Sequence, residues 1–215
     1  MQRLRIRFSR RRELKFISHL DMVRLWCRAF HRAEINLAYS EGFKPHPRIS
    51  LAAPMALGIT GDGELMDIYL KKPVSPHFLI KAINQKLPPG IEISQALQVS
   101  PSEPSLQSTV SQAEYRVELA TEKEETEIQS AIVALLSKGS LPWQHQRDTG
   151  IRRYDLRPLI DDIWLEEYIK NNCIIGMILR CDSDGSGRPE QVVKALGFNE
   201  SLNSIHRVKL ILKAS

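Results

Sequence analysis

Cysteine is scarce in this 215-residue sequence, and Cys27, Cys173 and Cys181 form no CxxC, CxxxCxxC or Cys/His spacing. That excludes a disulfide framework, a zinc site and an iron–sulfur site, and fits a reducing compartment. The six histidines are scattered, with no HxH or HExxH pair, so no metal site is expected. No stretch approaches the roughly 20 apolar residues of a membrane span, so no membrane partner is expected. The opening "MQRLRIRFSRRREL" is too charged for a secretory signal, so the expected location is cytoplasmic. Paired carboxylates, a Ser/His/Asp order, a GxSxG elbow and a Rossmann glycine pattern are all lacking. Nothing demands catalysis, and no cofactor is expected in this chain.

What is present is charge, unevenly placed. The net charge is +5. Twelve basic residues face only Glu13, Asp21, Glu34 and Glu41 in residues 1–50, which therefore carry +8 against −3 for the rest. A local field of this kind attracts polyanions, nucleic acid first among them, whereas a solvated charged surface is the plain alternative.

Periodicity predicts an α+β protein of two tandem ferredoxin-like (split β-α-β) modules. In "RLRIRFSR", Leu4, Ile6 and Phe8 alternate with Arg3, Arg5 and Arg7, which predicts a strand with one buried face and one arginine ladder. Ser18 and Asp21 then start a helix over 19–33. Its apolar side is expected to hold Leu20, Val23, Trp26, Cys27 and Phe30, beside a basic arc of Arg24, Arg28, His31 and Arg32. "RISLAAP" and "ELMDIYLKK", joined through "MALGITGDG", a helix after Ser75 and the strand "GIEISQALQV" complete an N-terminal module, 1–99. Residues 100–112, rich in Ser, Pro and Gln, are expected to be a linker. The element order recurs in 113–215, with "GIRRYDLRPLI" outside the simple pattern.

"YSEGFKPHPRIS", residues 39–50, cannot form a helix. Gly42 permits a sharp turn, and Pro45 and Pro47 stiffen the chain around His46. Tyr39, Phe43 and His46 could stack on exposed bases while Lys44 and Arg48 take phosphates. Alternatively the two aromatics plug the core, and Phe43 in particular is expected to anchor the loop. Arg10, Arg11 and Lys15 supply a basic loop before the helix, and His19 could donate to an anion at the helix N-terminus or simply face solvent. In "RRYDLRPLI", Asp155 either forms structural ion pairs with Arg153 and Arg157 or orients Arg157 toward a phosphate. "DGSGRP" places Arg188 and free backbone N–H groups before a helix, a weak anion site without a P-loop lysine.

"KFISHLDMVRLWCRAFHRAEINLAYSEGFKPHPRISLAAPMALGI" resembles the N-terminal segment of the bacterial radical SAM-linked proteins, and "YDLRPLI" and "GSGRP" are similar to that family's two C-terminal motifs. The resemblance covers nearly the whole chain and implies an accessory role beside a separate radical SAM protein, often in an RNA-processing neighbourhood. It implies no catalytic role for any motif residue. The tandem architecture also resembles that of the CRISPR repeat-processing endoribonucleases, at the level of fold alone. The expected function is a noncatalytic accessory protein that binds RNA or presents substrate to its radical SAM partner. The alternatives are a metal-independent RNA-processing enzyme using His19 or His46 as general base, and a protein-only adaptor.

Overall fold

The computed structural model describes residues 1–147, 150–198 and 202–213. The fold is mixed α/β, with a large mixed β-sheet and few helices. The chain divides into two compact units, Met1–Val110 with the last residues from Lys213, and Ser111–Leu212.

In the first unit the elements are β1 (Gln2–Arg10), a 3-10 turn (Arg12–Leu14), α1 (His19–Arg32), β2 (Ile49–Leu51), β3 (Ile59–Leu70), α2 (Pro76–Asn84), β4 (Ile91–Val99) and the short α3 (Leu106–Thr109). The strand order is β4-β1-β3-β2, every pair antiparallel. Residues 59–63, expected in a loop, extend β3 instead. Leu4, Ile6 and Phe8 alternate onto one face of β1 and are essentially inaccessible. Against them lie Met22, Leu25, Trp26, Ala29 and Phe30 of α1, spaced i, i+3, i+4, i+7, i+8. Phe8 meets the Trp26 ring edge-on at 5.1 Å. The buried stripe is therefore turned from the expected one: Leu20 is exposed, and Val23 and Cys27 lie at its margin. Leu20 sits one position out of phase with Met22 and Trp26, on the first turn.

The other face of β1 is not a free arginine ladder. Arg3, 2 % exposed, donates through Nε and Nη2 to Asp67 of β3 at 2.9 and 2.6 Å. It also donates to the carbonyls of Ser100, Glu103 and Pro104. Arg5 pairs with the other Asp67 oxygen at 2.9 Å. Only Arg7 of the three is exposed. The buried guanidinium also makes residues 100–109 an ordered strap rather than a linker. Ser105 caps α3, Leu106 is buried, and Gln107 donates to the Leu51 carbonyl at 3.1 Å.

The second unit contains β5 (Val110–Ala120), α4 (Glu125–Leu136), β6 (Pro142–Arg147), β7 (Gly150–Asp155), a 3-10 turn (Arg157–Leu159), β8 (Ile160–Ile169), β9 (Asn172–Arg180), α5 (Pro189–Ala195) and β10 (Leu202–Leu212). Its strand order is β10-β5-β9-β8. Strands β6 and β7 form a separate two-stranded ribbon, which accounts for the sequence segment that broke the pattern. Val117, Leu119, Ile128, Ile132, Leu135, Ile175 and Met177 form its interior. Glu124 and Glu127 make the capping box that starts α4. Gly176 is required by packing, since a Cβ there would lie 2.1 Å from the Trp164 indole.

Removing one partner of a buried, fully bonded ion pair leaves the other charge uncompensated, at a cost of about 3 to 5 kcal/mol. Arg3→Ala is expected to lose about that much in urea unfolding and to open residues 100–109 to limited proteolysis. A parent-like midpoint and cleavage pattern would contradict the role given to Arg3.

Candidate nucleic-acid interface

The segment between α1 and β2 is a closed hairpin. Tyr39 and Pro47 form a bridge pair. Ser40 N–H donates to the His46 carbonyl at 2.8 Å, His46 N–H to Ser40 Oγ at 2.9 Å, and Arg48 N–H to the Ala38 carbonyl at 2.8 Å. Its root is tied to β3 by Ala38 N–H donating to Tyr69 O and Tyr69 N–H donating to Arg48 O. Gly42, at φ +119°, makes the turn at the tip. Phe43 follows it with a relative exposure of 108 %, so the expected anchoring of the loop by Phe43 is overturned. The anchor is the root, where backbone hydrogen bonds tie the hairpin to β3. There the Arg48 guanidinium stacks 4.0 Å from the Tyr69 ring centre, with Nη1 3.3 Å from Met1 Sδ. Lys44 and His46 are exposed beside Phe43, and Tyr39 is half exposed with Lys71 Nζ 5.8 Å from its ring.

The other basic segment lies at the opposite end of β3. Arg10 is buried, and its guanidinium donates to the carbonyls of Leu14, Lys15 and Ile17 at 2.8–3.0 Å. It shapes the loop rather than presenting charge. That loop is held also by Gly58 N–H donating to Lys15 O at 2.7 Å, and it displays Phe16, with Lys15 Nζ 5.0 Å from the ring. Ser18 Oγ accepts from Asp21 N–H and donates to Asp21 Oδ2 at 2.7 Å, which caps α1. The Ser18 hydroxyl and the Arg24 guanidinium hold the Asp21 carboxyl below its ordinary pKa. His19, exposed on the first turn, borders a small pocket with Phe8, Arg10, Met22 and Glu64. Its free volume of about 20 Å³ suits a water molecule, not a base.

Between these ends runs the basic arc of α1. Arg24, Arg28 and Arg32 are exposed as expected. Arg24 pairs with Asp21 at 2.9 Å and Arg32 donates to the Lys86 carbonyl, whereas no carboxylate among the described residues pairs with Arg28. Arg11 is exposed on the loop that precedes the helix. The structure thus places Arg24, Arg28, Tyr39, Phe43, Lys44 and His46 outward, and commits Arg10 and Arg48 to the scaffold. Exposed Phe16, Leu20 and Leu57 add apolar surface that charge counting did not single out. Only Phe16 carried a signal, an aromatic inside the polar segment "RRRELKFIS".

In the second unit the motif residues are structural. Asp155 accepts from Leu141 N–H, Ser140 Oγ–H and Arg157 N–H at 2.7–2.9 Å, which lowers its pKa. The Arg157 guanidinium donates to the carbonyls of Leu136, Lys138 and Ile160 and so closes the C-terminal end of α4. Neither Arg153 nor the Arg157 guanidinium pairs with Asp155. Three N–H groups of the "DGSG" turn are already used: Asp184 and Gly185 donate to Asp182 Oδ1, and Gly187 to the Arg180 carbonyl. A Cβ at Gly187 would lie 2.8 Å from the Leu159 carbonyl, so this glycine serves close packing. Arg188 is exposed.

Among the described residues no group of three His, Cys, Asp or Glu side chains is placed to hold a metal ion, and no helix is long and apolar enough to cross a membrane. The protein is defined by its mixed α/β units and exposed basic, aromatic hairpin. It belongs to the bacterial family described as "Uncharacterized protein conserved in bacteria (DUF2344)", whose model matches residues 3–189. No curated protein matches. Among the solved structures that match, two are similar in fold as follows. One is a Cbf5-Nop10-Gar1 complex, at 9 % identity and a TM-score of 0.54, covering 96 % of this chain and 48 % of that one. The other is an archaeal box H/ACA sRNP Nop10-Cbf5 complex, at 10 % identity and a TM-score of 0.51, covering 96 % and 47 %. The chain therefore spans about half the length of the structures it matches.

Two measurements check this placement. Phe43→Ala should leave stability within about 0.5 kcal/mol of the parent, as for an exposed side chain, whereas Trp26→Ala should lose about 3 to 5 kcal/mol. Asp155, whose folded pKa is depressed, contributes stability that is present above the unfolded value of about 3.9 and lost as pH falls through the folded value. Asp155→Asn should accordingly flatten the fall in melting temperature below about pH 4; an unchanged acid limb would show that the three hydrogen bonds do not favour the carboxylate.

Proposed function

We propose that this chain is a noncatalytic RNA-binding accessory protein that holds an unpaired strand on its first unit and serves a radical SAM protein encoded as a separate chain. The observation that carries the reading is Phe43: a large aromatic fully exposed on a hairpin closed by its own hydrogen bonds, with Lys44 and His46 beside it. A base can stack on such a ring at little entropic cost, because the loop is already ordered, while the cations meet phosphates. The arc from Arg24 to Arg28 extends the positive surface. The element and strand orders of the two units support reading them as tandem ferredoxin-like modules. The fold's likeness to a box H/ACA sRNP component is consistent with an RNA ligand, and the motif resemblance described above supports the radical SAM partner.

Titration of a fluorescein-labelled unpaired RNA tests the reading. Phe43→Ala should cost about 1 to 3 kcal/mol of binding, the worth of one stacked base. His46→Ala should bind more weakly with an unchanged melting temperature. Arg24→Gln/Arg28→Gln/Arg32→Gln should reduce the slope of log K against log salt by up to about 2. Parent-like affinity in both Phe43→Ala and His46→Ala would remove the hairpin from the binding surface.

A further inference from the structure

We propose that the β6–β7 ribbon of the second unit is a separate arm that grips RNA phosphates, beyond the surface assigned to the first unit. Among the described residues strands β6 and β7 pair with each other alone, and their register sets the two faces. Trp143 lies opposite Tyr154 and His145 opposite Arg152 on one face, while Gln144 lies opposite Arg153 on the other. Arg188, at the start of α5, reaches the first face, its Nη1 3.3 Å from His145 Nε2. The Arg152 guanidinium sits 5.5 Å from the Tyr154 ring centre. Two guanidinium groups, an imidazole and two aromatic rings therefore share one side of a six-residue ribbon about 20 Å long.

Among the described residues the charge of this patch has no carboxylate partner. Arg152, Arg153 and Arg188 are exposed. Asp155, at the ribbon's root, is occupied by its three donors. Background charge does not explain the patch, because residues 111–212 contain thirteen basic and sixteen acidic side chains. Arginines concentrated on an isolated ribbon of a net acidic unit are suited to a localised anion. The root is also firm: Tyr154 Oη donates to Gln191 Oε1, and Arg157 closes α4 next to it. Planar guanidinium forks match phosphate oxygens, and rings on the same face can meet the bases or riboses between them. An acidic protein would satisfy the arginines but gives the aromatic side of the ribbon no particular role.

The test compares two full-length variants of equal charge change by anisotropy titration of a labelled, mixed-sequence, unpaired 20-nucleotide RNA, with thermal melts to verify folding. Arg152→Gln/Arg153→Gln/Arg188→Gln should bind about 10-fold or more weakly and lose about 2 from the salt slope, at about 0.7 per phosphate contact. Lys123→Gln/Lys170→Gln/Lys209→Gln, which removes cations on other elements of the same unit, should bind as the parent does. Equal losses in the two variants would reduce the effect to net charge and overturn the proposal. Parent-like RNA binding by the ribbon variant would also overturn it, including when that variant fails to bind an acidic protein instead. A hairpin variant that loses binding while the ribbon variant does not would sink this inference and leave the proposed function standing; the converse would do the reverse.

Discussion

The Arg3 guanidinium is the contact on which most of the first unit depends. Burying it would cost several kcal/mol if its charge or its N–H groups were left unsatisfied. Asp67 supplies the opposing charge, and the carbonyls of Ser100, Glu103 and Pro104 take up the remaining donor capacity. Because those acceptors come from β3 and from the strap after β4, all three must be in place together. The same side of β3 carries Tyr69 two residues on, with the Arg3 guanidinium 5.8 Å and the Arg48 guanidinium 4.0 Å from its ring centre. Through Tyr69, the buried ion pair reaches the root of the hairpin that displays Phe43.

Arginine serves repeatedly as a backbone staple among the described residues. Arg3 fixes the strap, Arg10 fixes the loop that presents Phe16, and Arg157 closes α4. Each engages two or more main-chain carbonyls, groups that would otherwise be left without donors at the end of an element or in a loop. A guanidinium suits this task better than an ammonium, since its donors lie in one plane at fixed angles. The consequence for binding is subtractive. Arg3, Arg5 and Arg10 count toward the positive charge of the first fifty residues but contribute little to the surface, and Arg48 is held in a stack.

This subtraction marks how far the sequence was legible. Local periodicity located β1, α1 and the helix caps, because alternation and the Ser18–Asp21 pair act over a few residues. The β6–β7 ribbon was not legible, since "GIRRYDLRPLI" only stood outside the recurring pattern and nothing local to "PWQHQR" announced its pairing. What could not be read was partnership across the chain. Nothing local to Arg3 announces Asp67 or residues 100–104, so an arginine destined for burial looked like one facing solvent. Leu20 failed for a different reason: two residues from Met22, about 200° of helical rotation, it faces away from the buried stripe. Phe43 was misplaced because an aromatic beside a glycine turn ordinarily packs, and only the hydrogen bonds between Ser40 and His46 reveal that the turn stands clear of the core.

An exposed aromatic is costly to keep in water, so its position demands a physical account. A flexible loop could fold Phe43 back onto apolar surface and hide it. This hairpin is prevented from doing so by its closure: the Tyr39–Pro47 bridge, the Ser40–His46 bonds and the stiff prolines leave few backbone states. Rigidity therefore performs two tasks at once. It holds the ring in solvent, and it removes in advance the ordering entropy that a binding loop would otherwise lose on contact with its ligand. The same reasoning applies to the β6–β7 ribbon, where Asp155, Tyr154 and Arg157 fix the root and leave Arg152 and Arg153 outside. In both units the stiff polar contacts lie at the base of a projecting element, and the groups with unspent binding capacity lie beyond it.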